Sequence, residues 1–340
     1  MNQVTPTKMG DSKPRPSTHD TAGPFSCPAC GRLASGPALE EFHAYSLFAC
    51  PLCGLQFWEP RAMPDAQWYE RMYAGRDARL LPLEPGHRFF LKDAGFLPHG
   101  NLLDVGCGTG NFLLAARDAG FSVNGIELDI SAARFAKHKC GLPNILPLTL
   151  AEFASQFPEE KFDVITFFEV LEHQASPGQF LSDAKACLCP GGYMALSVPN
   201  RERWRVGMDP LDYPPNHFLR WDGKSLKKVL AFHGFDVLSV REGTASISYA
   251  AQMINILLRT GMSRSLAPDL PPVFREAMQN PDKLPSSSPQ PSFSLRLRAV
   301  QALGRLKAMA CLPIACLSMP IIRLRGYKDS YLYCLARRRD

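Results

Sequence analysis

Between Asn101 and Arg241, short apolar runs alternate with stretches in which apolar residues recur every three or four positions. The runs Asn101–Val105, Ser122–Glu127, Asn144–Leu148, Phe162–Phe168, Tyr193–Val198 and Phe235–Arg241 predict strands. Asn111–Ala119, Ser131–Lys139, Pro177–Leu188 and Gly223–His233 carry the helical period between them. This alternation is the pattern of an α/β domain with a parallel sheet. Upstream, Asp65–Tyr73 and Gly86–Ala94 are short helical patterns with aromatic residues on one side. After Gly243 the alternation stops. Seven prolines between Ser265 and Pro291 predict an irregular connector, a basic apolar stretch follows, and Ser330–Ala336 is a last strand. There is no internal repeat.

Composition narrows the class. With 340 residues, 46% apolar and 21% charged, the chain has ordinary globular content, which excludes collagen, a wholly disordered chain and a polytopic membrane protein. Met1 to Pro24 lacks an apolar segment for a secretory signal and is rich in Pro, Ser, Thr and Lys, so it predicts a disordered tail. The eleven cysteines are then expected reduced, in the cytoplasm. The net charge of +6 is concentrated at the C-terminus, where Arg296–Asp340 holds ten Arg/Lys against two Asp. That is a local basic patch, not a nucleic-acid-coated surface.

Candidate chemistry begins at LLDVGCGTGNFLLAA, a strand, a glycine-rich turn and a helix start. Gly106, Gly108 and Gly110 let the backbone pass close to a ligand, and the helix N-terminus offers free N–H groups. The dinucleotide fingerprint wants a third glycine where Asn111 stands, so the loop is G-x-G-x-G instead. About twenty residues on, Glu127 ends the second strand, where a carboxylate can accept both hydroxyls of a ribose.

Taken in order, LLDVGCGTG, IELD, FDVITFFEVLEH and LCPGGYMALSVPN resemble the successive motifs of class I S-adenosylmethionine-dependent methyltransferases, over roughly Asn101 to Arg241. The resemblance implies a Rossmann-like, doubly wound seven-stranded sheet whose final strand runs antiparallel between the fifth and sixth. YKDSYLYCLARR is the candidate for that strand. Carried over, Asp104, Gly106, Cys107, Gly108 and Gly110 line the methionine end of the cofactor, with Cys107 acting through its backbone. Glu127 and Leu128 meet the ribose, Leu150 packs the adenine, and Glu169 faces the sulfonium side. Glu152 is displaced from the acidic position that the family often has there.

Methyl transfer needs alignment of nucleophile, methyl and sulfur, and a hydroxyl acceptor must also lose its proton. His217, in YPPNHFLRW after the fifth strand, is the candidate general base, with a loop-stabilising role as its alternative. His173 matches a family motif position and is expected to order its loop; His87 and His233 fall in helical patterns and are expected at the surface or in packing. Tyr213 and Trp221 could wall the acceptor pocket.

Two C-P-x-C-G knuckles, Cys27/Cys30 and Cys50/Cys53, stand nineteen residues apart. Together they predict a closed four-thiolate site for structural Zn²⁺, resembling a zinc ribbon, whose folding energy the metal would supply. From Ala308 to Ile322, AMACLPIACLSMPII has one polar residue. Fifteen residues are too few to cross a bilayer, and Pro313 and Pro320 are expected to break a continuous helix. Two readings remain for residues 295–325: a buried hairpin or helix pair over the active site, or a segment resting on an anionic membrane at its inner face.

The resulting organisation is a tail (1–24), a zinc ribbon (25–60), a helical cap (61–98), a methyltransferase core (99–245), a Pro-rich and basic apolar insertion (246–326) and a final strand (327–340). The expected activity is S-adenosylmethionine-dependent O-methylation of a small-molecule hydroxyl, on a sugar-type metabolite or a lipid-linked precursor. The alternatives are C- or N-methylation, or a degenerate methyltransferase fold whose ribbon engages RNA or protein.

Overall fold

The computed structural model describes residues 25–34, 36–61, 79–203, 212–262 and 310–340. The expected tail, the Asp65–Tyr73 helix and the Pro-rich connector lie outside them.

The central sheet has seven strands: β6 (Asn101–Val105), β7 (Ser122–Ile126), β8 (Ile145–Leu146), β9 (Phe162–Phe168), β10 (Leu188–Pro199), β12 (Phe235–Thr244) and β13 (Lys328–Arg338). Their spatial order is β12-β13-β10-β9-β6-β7-β8. Pairings from β8 through β10 are parallel, and β13 pairs antiparallel with both β10 and β12. The last strand therefore sits where the sequence resemblance implies. β9 and β10 read as near-continuous apolar runs because both faces of the sheet are covered. Five helices pack around them: α2 (Asn111–Asp118), α3 (Ile130–His138), α4 (Leu150–Gln156), α5 (Pro177–Cys187) and α6 (Gly223–Phe232). α1 (Pro85–Asp93) precedes the sheet and closes over its ends: a Cβ on Gly86 would come within 2.9 Å of Phe168 and Ser197.

The order reverses at β6, which has β7 on one side and β9 on the other. The crevice beyond the carboxyl ends of these strands is the ligand-binding position of such sheets. All candidate cofactor residues fall on that edge.

The cysteine segment builds a second, smaller layer. β1 (Phe25–Ser26) and β2 (Leu33–Ala34) flank the first knuckle; β4 (Tyr45–Ala49) and β5 (Gln56–Glu59) flank the second, with β3 (Glu40–Phe42) beside β4. The fourth strand of this sheet, β11 (Leu219–Arg220), comes from the core and pairs antiparallel with β5. Phe48, Phe57 and Trp58 of the ribbon share one buried cluster with Phe218, Trp221 and Leu226 of the core. Burial of each such side chain contributes about 1.5–3 kcal/mol, so ribbon and core stabilise each other.

Beyond Gly243, where the alternation in the sequence stops, the chain adds a helix, α7 (Ile247–Met262). One expectation is corrected. Residues Leu312–Leu324 form one continuous helix, α8, despite Pro313 and Pro320. Pro313 sits in the first turn, where its missing N–H costs nothing. Pro320 and Cys316 are both exposed, so water can satisfy the carbonyl that Pro320 leaves free. α7 and α8 pack through Ala250, Ala251, Ala315, Met319 and Ile322. The other face of α8 leaves Ile314, Leu317, Ile321 and Leu324 exposed, Leu317 and Leu324 by more than four-fifths.

Candidate active site

The glycine loop follows β6 directly. Gly106, Gly108 and Gly110 all have φ between 55° and 83°, a region that side chains with a Cβ rarely adopt. A Cβ on Gly106 or Gly110 would collide with Val170 or Leu142. Among the described residues nothing lies within 4 Å of a Cβ built on Gly108, so the loop presents open backbone on that side, and Gly110 caps the start of α2. Beneath the loop, Asp104 is buried and accepts a hydrogen bond from Thr166 Oγ1 (2.7 Å). Burial pushes its carboxyl up to about 8, opposed by Thr166 and reinforced by the Glu127 charge. Cys107 is buried and its thiol is held well above the ordinary range by the same burial, so it is no nucleophile.

Glu127 follows β7. Its oxygens accept from Gly108 N (2.8 Å) and Asp129 N (2.7 Å), which fastens the carboxylate against the loop. Leu128 follows it at the mouth of the crevice, half-buried. Leu150 is buried at the first turn of α4. Glu152 proves to be a capping residue: Thr149 and Glu152 form a reciprocal capping box at the start of that helix.

Glu169 ends β9 with φ 55°, a strained conformation for a side chain with Cβ, held by its N–H to Ser197 O (3.0 Å). Its Oε1 accepts from Ser197 Oγ (2.8 Å), and burial pushes the carboxyl up to about 7. Three residues on, Glu172 is 1% exposed and neither carboxylate oxygen has a hydrogen-bond partner among the described residues. Two histidines face it: His173 Nε2 lies 3.8 Å and His217 Nε2 3.9 Å from Glu172 Oε1. His173 donates through Nδ1 to Asn216 O (2.6 Å), and burial pushes its pKa down to about 3. His217 Nδ1 lies 3.7 Å from Asp212 Oδ1, and Asp212 is ion-paired with Arg203. The structure thus brings His217 and His173 together around Glu172.

Sequence reasoning missed Glu172 and Asp212. Glu172 stands beside His173 in EVLEH, and only its burial without a partner sets it apart. His87 and His233 are placed in packing: His87 stacks on Phe112, and His233 donates to Ala29 O of the first knuckle (2.7 Å). Tyr213 and Trp221 are both buried. Tyr213 OH donates to Glu40 Oε1 (2.6 Å), and Arg220 bonds the same carboxylate. Glu40 of the ribbon therefore holds both ends of the loop that carries His217.

The four knuckle thiols converge. Cys27–Cys53 and Cys30–Cys50 sulfurs lie 3.7 and 3.5 Å apart, and no disulfide joins them. Tetrahedral zinc with Zn–S bonds of about 2.3 Å sets its ligands about 3.8 Å apart, so the cluster fits that ion. The glycines after each knuckle, Gly31 (φ 71°) and Gly54 (φ 79°), close the turns.

An α/β sheet with its order reversal at a glycine loop and a strand-end acid defines a nucleotide-type ligand crevice. Residues 73–240 match the family described as a methyltransferase domain. A "probable S-adenosylmethionine-dependent methyltransferase" of Mycolicibacterium smegmatis is 29% identical over 164 residues, 48% of this chain and 61% of that protein. A ubiquinone biosynthesis O-methyltransferase of Hydrogenovibrio crunogenus is 30% identical over 137 residues, 39% of this chain and 56% of that one. The chain thus spans about three-fifths of these relatives' length. Among solved structures, the phosphoethanolamine N-methyltransferase 2 of Haemonchus contortus, in complex with S-adenosyl-L-methionine, has a TM-score of 0.46 at 14% identity. That match covers 81% of this chain and 57% of the other.

Proposed function

We propose that the protein is an S-adenosylmethionine-dependent methyltransferase that transfers methyl to the hydroxyl of a small molecule. The observation that carries this reading is the open backbone over Gly108 with the Glu127 carboxylate fastened beside it. Bound S-adenosylmethionine supplies an electrophilic methyl on a positive sulfur. Gly106, Cys107, Gly108 and Gly110 cradle its amino-acid end through backbone groups, with Asp104 beneath them. Glu127 and Leu128 hold the ribose, Leu150 packs the adenine, and Glu169 borders the sulfonium.

On the acceptor side, His217 takes the hydroxyl proton while Asp212 orients the ring. A base on this side suits a hydroxyl acceptor, which must lose its proton in the transfer. The O-methyltransferase name of several relatives supports the same choice. Zn²⁺ held by Cys27, Cys30, Cys50 and Cys53 is structural, since four thiolates leave no open position. Incubation with methyl-labelled cofactor and a metabolite extract, read by mass spectrometry, tests the reaction. A labelled methyl ether supports O-transfer; label on nitrogen or carbon, or on no product, rejects it.

We also propose that α8 rests on an anionic membrane surface. Ile314, Leu317, Ile321 and Leu324 form its exposed apolar stripe, and Arg323 and Arg325 stand at its C-terminal end. Among the described residues no helix is long and apolar enough to cross a membrane. Co-sedimentation with anionic vesicles should fall when Leu317 and Leu324 become Ser; unchanged recovery in the pellet rejects this contact.

A further inference from the structure

The Glu172 cluster has a polarity that nothing around it resolves. Both Nδ1 atoms are turned toward oxygens, His173's to the Asn216 carbonyl and His217's toward Asp212. With Nδ1 carrying the proton, each Nε2 presents a lone pair, and both lone pairs face one oxygen of a buried carboxylate that has no donor of its own. Two lone pairs and a carboxylate directed at one another repel unless something positive lies between them. A proton on Glu172 could satisfy one imidazole only.

We infer that Glu172, His173 and His217 form a second metal site, for a divalent transition ion of the zinc or iron class. Two imidazoles and one carboxylate are a donor set suited to these ions and leave coordination positions open. The ligand atoms lie within 4.8 Å of one another, so bonds of about 2.0–2.2 Å require only small inward shifts. The outer contacts are those that metal-binding histidines use, with a carbonyl behind one ring and a carboxylate behind the other, and Arg203 holds that carboxylate in turn. A small cavity lined by Asp212, His217 and Arg203 reaches the site, with room for about one water.

The two metal sites differ in kind. The cysteine cluster is closed, soft and structural; this one is harder, open and on the acceptor side of the crevice. If the methyl-transfer reading holds, an acceptor hydroxyl on an open position would shed its proton to solvent more readily, and His217 would serve as ligand in place of base. Metal binding itself does not depend on that reading.

The test uses the full chain with its cysteine site already filled with Zn²⁺, titrated with Co²⁺. The expected result is two metals per chain by elemental analysis, with visible ligand-field bands for the second. No sulfur-to-cobalt charge transfer should accompany them. His217→Ala and Glu172→Gln should abolish the second equivalent while keeping the first, and Asp212→Asn should weaken Co²⁺ binding about 10–100-fold. Circular dichroism confirms that each variant is folded, and Asp212→Asn, which removes no ligand, carries the test if the Glu172 variant does not fold. No second equivalent, a charge-transfer band showing that Co²⁺ has entered the cysteine site, or Co²⁺ affinity unchanged in the folded His217→Ala and Asp212→Asn proteins would each overturn the assignment.

Discussion

The proposed cofactor and acceptor halves of the crevice are built differently. The cofactor half is made of backbone: a turn of positive-φ glycines, a helix N-terminus and one carboxylate tied to the loop it serves, all within residues 104–129. The acceptor half is made of side chains drawn from distant places. His217 and Asp212 come from the loop after β10, Glu172 and His173 from the turn after β9, and Glu40 reaches across from the ribbon. The first half ties its carboxylate to its loop through hydrogen bonds spanning at most 19 positions. The second exists only when ribbon and core are docked, because β11 is a strand of the ribbon sheet and its neighbour His217 is carried along with it.

This difference can be broken most severely at the metal knuckles. With zinc in the proposed four-thiolate site, Cys50→Ser or chelation would remove the energy that orders the ribbon and with it the cluster that Phe57 and Trp58 share with Trp221. The melting temperature should fall by about 10 °C or more in a calorimetric scan; a fall confined to about 2 °C would mean that the ribbon stands apart from the core. At the cofactor half, Glu127→Ala should weaken S-adenosylmethionine binding about 10–100-fold with the fold intact, the cost of a charged hydrogen-bond partner. Unchanged affinity in a binding titration would move the ribose elsewhere.

His87 lies on α1 with its ring against Phe112 and Phe168, where burial first and the Arg88 charge second push its pKa down to about 4. The unfolded imidazole takes up a proton near pH 6.5 and the folded one does not until about 4. This contribution is therefore complete above pH 6.5 and is lost as pH falls toward 4, about 2 kcal/mol between pH 7 and 5. Urea unfolding at the two pH values, with His87→Gln as reference, measures it; equal pH dependence in both proteins would refute it. The smallest effect belongs to the capping box of α4, where Thr149→Ala should cost about 1 kcal/mol without changing acceptor-side chemistry. A loss beyond about 3 kcal/mol, read from the same unfolding curves, would show that Thr149 does more than cap.

The same contrast decides what the sequence makes legible. The glycine loop, Glu127 and the cysteine knuckles are local patterns whose spacing carries the geometry, so their residues are found by reading along the chain. Glu172 cannot be found this way. It lies about forty residues from His217, and what distinguishes it is buried oxygens without donors, a property of the packed loops. Glu40 is hidden for the same reason, standing more than 170 positions from Tyr213. The α8 helix is missed for a different one: proline rules describe helix interiors with no water at hand, whereas Pro320 lies on an exposed face. Glu152 shows the converse, an acid near an expected binding position that serves only its own helix end.

Calorimetric titration of the zinc-replete protein with S-adenosylmethionine reads the glycine-loop crevice itself. Saturable heat at one site per chain, competed by the demethylated product, is the expected result. An absence of binding in protein that is folded and zinc-loaded would contradict it.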